Sequence, residues 1–94
     1  MNYFALLYDF VEDYETRRQP YREEHLQRIR AAQARGELIM AGAFADPMDG
    51  ALLVFRVPGR AVVEEFVRND PYVKNGLVPR WEIRAWTVVV GGEQ

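Results

Sequence analysis

Residues 37–57, "ELIMAGAFADPMDGALLVFRV", hold two apolar runs around a polar segment rich in aspartate, proline and glycine. The first run, "ELIMAGAF", and the second, "ALLVFRV", have the length and the β-branched and aromatic content of strands. Between them "ADPMDG" ends in Asp-Gly, a dipeptide of hairpin turns. The spacing predicts an antiparallel hairpin, and a hairpin in the middle of a 94-residue chain restricts what can flank it.

Upstream, good helix formers run from about Thr16 or Pro20 to Arg35, with Gly36 as the stop and Pro20 tolerable only within the first turn. Before them "NYFALLYDF" reads as a strand and the acidic "VEDYE" as a connection. Downstream, Pro58-Gly59 breaks the hairpin's second strand, "RAVVEEFVRN" is an amphipathic helix, "DPYVKNG" a capped turn and "WEIRAWTVVV" a closing strand. The order β-α-β-β-α-β is the ferredoxin-like arrangement of the α+β class, a four-stranded antiparallel sheet with two helices on one face. With no linker or repeat, residues 1–94 are expected to form a single domain.

Two helices cover one face of such a sheet, yet both faces are apolar. Phe4, Leu6 and Tyr8 oppose Tyr3, Ala5 and Leu7, and Leu52 and Val54 oppose Leu53 and Phe55. Trp86, Val88 and Val90, opposite in parity to Trp81, Ile83 and Ala85, add to the uncovered side. The economical cover is a second copy of the chain, so a homodimer packed through the open sheet face is expected.

Composition removes several classes of function. There is no cysteine, hence no disulfide, thiolate metal site or cysteine nucleophile, and no serine for a serine triad. A net charge of -2 with pI about 5.4 lacks the footprint of a phosphate-backbone binder, and the helical arginines scatter around their helix as a solvated face. "MNYFALLYDFVEDYE" lacks a basic leader and a cleavage site, and its apolar run is too short to span a membrane, which predicts a cytoplasmic protein.

The chemistry that remains centres on His25, the single histidine. Projected at about 100° per residue, it lies among Tyr21, Ile29 and Ala32 in the middle of the helix's apolar stripe. On the second helix Val62, Val63 and Phe66 point inward, and if the helical phase persists to Asp70 its carboxylate falls between Val63 and Phe66. A buried carboxylate needs a partner and an imidazole N–H supplies one, so His25 and Asp70 form a candidate dyad for general acid/base catalysis. Asp70-Pro71 is equally an N-cap with proline at the first helical position, and one carboxylate can serve both roles. Arg22, one turn before His25, is a candidate anchor for an anionic substrate group. Tyr72 and Trp81 are candidate pocket residues, Tyr72 as one that binds substrate, although each also fits the core. Asp46 and Asp49 lack the following bidentate glutamate of a calcium loop, so no metal and no cofactor is expected.

In order and spacing, "REEHL", "ARGELIMAGAF", Asp-Gly before a strand, "EEFVRNDPYVKNGLV" and "WEIRAW" resemble the YciI-like family along nearly the whole chain. The resemblance implies a ferredoxin-like dimeric α+β barrel. It also implies catalysis by a helical histidine and by the aspartate of an Asp-Pro-Tyr segment, which match His25 and Asp70, with Arg22 matching an arginine three positions before the histidine. Gly42-Ala43 stands where many relatives carry Gly-Pro, and Ala85 where a proline often precedes the last aromatic. The expected function is a small-molecule enzyme of proton transfer, such as isomerisation, elimination or hydrolysis. The rival expectations are a non-catalytic dimeric binding module, and haem or oxygen chemistry as in fold relatives.

Overall fold

The nearly unbroken apolar and aromatic run of the first residues produces a central strand whose alternate side chains fall on opposite faces. In the computed structural model, which describes residues 1–92, β1 spans Asn2–Asp9, with Phe4, Leu6 and Tyr8 buried and Tyr3, Ala5 and Leu7 half-buried. Next come α1 (Tyr14–Arg17), a 3₁₀ turn (Gln19–Tyr21) and α2 (Arg22–Ala34), then β2 (Leu38–Ala43) and β3 (Gly50–Val57). The chain closes with α3 (Arg60–Asn69), α4 (Pro71–Lys74) and β4 (Arg80–Trp86). The sheet runs β2-β3-β1-β4, and β3 pairs antiparallel with β1 and β2, as does β4 with β1. This is the ferredoxin-like α+β fold predicted from the element order.

Register puts the core where the helices can reach it. Leu6 sits between Leu53 of β3 and Ile83 of β4, and with Phe55 and Val57 it meets Val63, Phe66 and Val67 of α3 and Leu77 beyond α4. Each fully buried leucine or phenylalanine contributes about 1.5–3 kcal/mol of transfer free energy. Among the described residues, no helix is long and apolar enough to cross a membrane.

Three boundaries differ from expectation. The single helix expected from Thr16 or Pro20 to Arg35 is broken into α1, the 3₁₀ turn and α2, and Tyr14 and Glu15 of the expected connection belong to α1. Pro20 lacks the N–H that a continuous α-helix would use, and the helix restarts after Tyr21, whose φ widens to -111. The closing strand ends at Trp86 instead of reaching residue 90, because Trp86 already pairs with Tyr3 near the start of β1 and no strand remains to receive residues 87–90.

The Asp-Gly pair marks the hairpin for a different reason than expected. A loop over residues 44–49 closes it, with Phe44 N donating to the Gly50 carbonyl at 2.8 Å. Gly50 does not adopt positive φ; it is required because a Cβ there would collide with the Tyr8 carbonyl oxygen. A register shift between Leu38 and Met40 keeps Leu38 opposite Phe55 on the helix side and sets Met40 opposite Val54 on the open side.

Candidate active site

Asp70 reaches the interior because a helix stops. Proline at 71 disfavours helical geometry at the preceding residue, so α3 ends at Asn69 and Asp70 turns extended, at φ -73 and ψ 121. The condition that helical phase persists to Asp70 is not met, and the alternative reading of Asp70-Pro71 as an N-cap with proline at the first helical position is the one the backbone adopts. The break aims the side chain, and the same break starts α4, where Asp70 Oδ1 accepts from the Tyr72 backbone N–H at 3.0 Å as the N-cap.

His25, from the inward stripe of α2, meets this carboxylate: Nδ1 lies 2.7 Å from Asp70 Oδ1. A third donor was not foreseen from the sequence, the Tyr8 hydroxyl of β1, which donates to Asp70 Oδ2 at 2.7 Å. The Tyr8 hydroxyl and the Tyr72 amide both donate to a fully buried Asp70, one to each oxygen, so the carboxylate serves as the acceptor of the network. The tautomer that matches it donates from Nδ1 and leaves the ring's free lone pair on Nε2. The His25 side chain keeps 11% exposure while that of Asp70 has none, so solutes can reach the ring but not the acid behind it.

Aromatic stacking fixes the ring plane. His25 lies flat on Tyr72, centroids 3.7 Å apart and planes within 10°, Tyr72 meets Tyr14 edge-on at 5.7 Å, and Tyr14 stacks on Phe10 at 3.6 Å. Burial pushes the Tyr72 phenol up to about 12, helped by the neighbouring Tyr14 hydroxyl and opposed by the Arg22 and Arg18 guanidiniums. Burial, followed by the charge of Asp70 and the hydrogen bond to it, holds the Tyr8 phenol far above its usual range. Both phenols are therefore neutral donors near neutral pH.

Beside the ring opens a cleft of about 330 Å³. His25, Tyr72 and Arg22 line it together with Arg18, Tyr14 and Met48, and residues 41–43 of β2 form another wall. Tyr8 carried a signal in the sequence, its even position in an alternating strand whose even side faces the helices. Arg18 carried none, because its place depends on the break at Pro20. Trp81 departs from expectation: it is 42% exposed and lies by Leu7, Asp9 and Arg80, outside the cleft. Asp46 and Asp49 are exposed on the β2–β3 loop, and among the described residues no group of three or more histidine, cysteine or acidic side chains is placed to hold a metal ion.

Among curated proteins no sequence matches the chain. Solved structures match over most of its length. 5-Chloro-2-hydroxyhydroquinone dehydrochlorinase (TftG) from Burkholderia phenoliruptrix AC1100, in complex with 2,5-dihydroxybenzoquinone, matches with TM-score 0.77 and 20% identity, over 90% of this chain and 93% of that one. A NIPSNAP family protein from Agrobacterium tumefaciens follows with TM-score 0.59 and 15% identity, over 94% and 92%. A further Agrobacterium tumefaciens protein matches with TM-score 0.58 and 14% identity, over 96% and 95%. At these identities the likeness is one of fold. Kinship is carried instead by the sequence itself, since residues 1–87 match the YCII-related domain, and the chain belongs to that family.

Proposed function

We propose that this protein is an enzyme acting on a small molecule, with His25 as its general acid/base and Asp70 as the group that orients and stabilises the imidazole. The observation that carries this reading is the 2.7 Å Nδ1–Oδ1 contact between a buried acid and a ring that borders a cleft. Nε2 takes a proton from a substrate C–H or O–H, and Asp70 offsets the charge of the imidazolium. In an elimination, the C–H electron pair becomes the new π bond and the leaving group departs with its own pair. The proton on Nε2 then passes to water or to the departed anion, which restores the ring. The dehydrochlorinase among the structural neighbours supports elimination within this reaction group. Tyr72 and Arg22 bind the substrate, Tyr72 through the aromatic wall and Arg22 through a substrate oxygen.

The test is turnover of a panel of halogenated and hydroxylated six-membered-ring compounds. His25→Ala and Asp70→Asn each lower kcat by about 10²- to 10⁴-fold while circular dichroism shows a folded chain. Full activity in both variants ends the proposal. A structural reading of the same pair has one observation in its favour, that Asp70 also caps α4 and accepts from Tyr8. On that reading the substitutions cost about 1–3 kcal/mol of stability and leave turnover untouched.

We further propose a homodimer through the open sheet face. Ile39, Met40 and Trp86 are exposed there around the better-covered Val54 and Tyr3, and the apolar surface continues past Trp86 to Ala5, Leu7 and Leu52. Glu82 and Arg84 on β4 lie opposite Leu7 and Ala5 on the same face, a pairing of signs that a two-fold axis can match between copies.

A further inference from the structure

The charges around the His25 cleft are of one sign. Arg18 and Arg22 line it and no aspartate or glutamate does. Among the described residues neither arginine forms an ion pair, whereas Arg17, Arg35, Arg60 and Arg80 each find an acid. Arg18 is the more telling of the two. It is half-buried, and its Nε is sealed from solvent with no hydrogen-bond partner. Its Nη1 reaches only the Tyr14 hydroxyl at 3.5 Å and Met48 Sδ at 3.9 Å, both at the outer limit of hydrogen bonding. The guanidinium sits over the Tyr14 ring, 5.1 Å from its centroid, so it is held in place without being satisfied. Arg28 also has an unbonded Nε, but Glu37 and Glu65 border the same hollow. Arg18 has no acid at hand in its own cleft.

Taking a guanidinium partly out of water without a partner is costly, and its planar fork of donors matches a carboxylate held through two parallel bonds. We propose that the substrate of this site is a small carboxylic acid, anchored through its carboxylate by Arg18 with Arg22 as a second cation, its flat part lying along the aromatic wall beside His25. This rests on the reading of the cleft as the substrate site. The cleft's volume suits one substituted ring or a short chain, and aromatic and aliphatic walls favour a planar organic acid over a strongly hydrated inorganic anion.

Isothermal titration calorimetry of the full chain near neutral pH tests this, with benzoate as probe and neutral benzamide as its isostere. Benzoate binds and benzamide binds about tenfold more weakly or not at all, and Arg18→Gln weakens benzoate by about tenfold, as expected for loss of charge-assisted bonds. Should Arg18→Gln fail to fold, Arg18→Met, which keeps the stem packed on Tyr14, takes its place. Equal affinity for the two probes, no benzoate binding at millimolar concentration, or an unchanged benzoate affinity in the folded variant overturns the proposal. Binding is read without turnover, so the two readings fail separately. Loss of acid preference with the dyad variants still inactive removes only the carboxylate, and an active Asp70→Asn that binds benzoate removes only the acid/base chemistry.

Discussion

Asp70 Oδ1 is shared by His25 and the Tyr72 amide while Oδ2 accepts only from the Tyr8 hydroxyl, all on a fully buried carboxylate, so the loss of the Tyr8 hydroxyl leaves an acceptor that water does not reach. Tyr8→Phe removes the hydroxyl with little change of shape, and is expected to cost about 1–3 kcal/mol in urea denaturation. A midpoint equal to that of the native chain would show that the bond contributes nothing. The raised phenols make a second expectation, in pH. Tyr72, usually near 10.0 and here pushed up to about 12, keeps its proton where the unfolded chain has lost it, and Tyr8 behaves likewise. Above pH 10.0 the unfolded state binds fewer protons than the folded one, so stability falls as pH rises through the interval up to about 12 and is fully present below it. Denaturation midpoints measured across this alkaline range should decline, and Tyr72→Phe should flatten the decline. At this scale residue type pointed to His25 and Asp70 as a buried pair, while the path by which Asp70 reaches the ring, the break before Pro71, was set by local geometry that helical spacing did not describe. The sequence could not reveal Tyr8 as Asp70's second partner, because a tyrosine in an alternating strand is an ordinary core residue until its neighbours are known.

Elements were legible where a local pattern defines them and obscure where a break does. Strands β1 and β3 follow from apolar runs of strand length and composition, and α3 from its apolar stripe. The segment before α2 did not, since the sequence left Thr16 and Pro20 both open as the start of one helix and gave no sign of a separate short helix at Tyr14–Arg17. Gly50 shows the same limit, as Asp-Gly signals a turn but the need for glycine comes from the Tyr8 carbonyl on a neighbouring strand. Gly50→Ala forces β1 and β3 apart beside Tyr8, and is expected to destabilise by about 1–3 kcal/mol in thermal or urea unfolding. Gly42→Ala, with nothing within 4 Å of the added carbon, is the control and should change stability by less than about 0.5 kcal/mol. Equal effects would show that the close approach at Gly50 is immaterial.

In the whole molecule, the sheet divides two environments, a helix-covered side that holds the site and an open side of exposed apolar residues. Met40 and Trp86, 66% and 46% exposed, can be altered without touching the core, so the pair Met40→Glu and Trp86→Glu is expected to leave a folded monomer. Sedimentation velocity should find the native chain as a dimer and this variant at half its mass; a native chain that sediments as a monomer would refute the proposed association. What the sequence by itself determined is the order of elements and the sheet's apolar sides, because these depend on local periodicity and on hydrophobic burial summed along each segment. Which polar groups meet was decided only in three dimensions. His25, Tyr8 and Asp70 lie on a helix, a strand and the gap between two helices, up to 62 residues apart, and Arg18 lines their cleft from the junction between α1 and the 3₁₀ turn. Hydrogen bonds and ion pairs act over a few ångströms and in fixed directions, so no pattern along the chain encodes them until packing has set the distances.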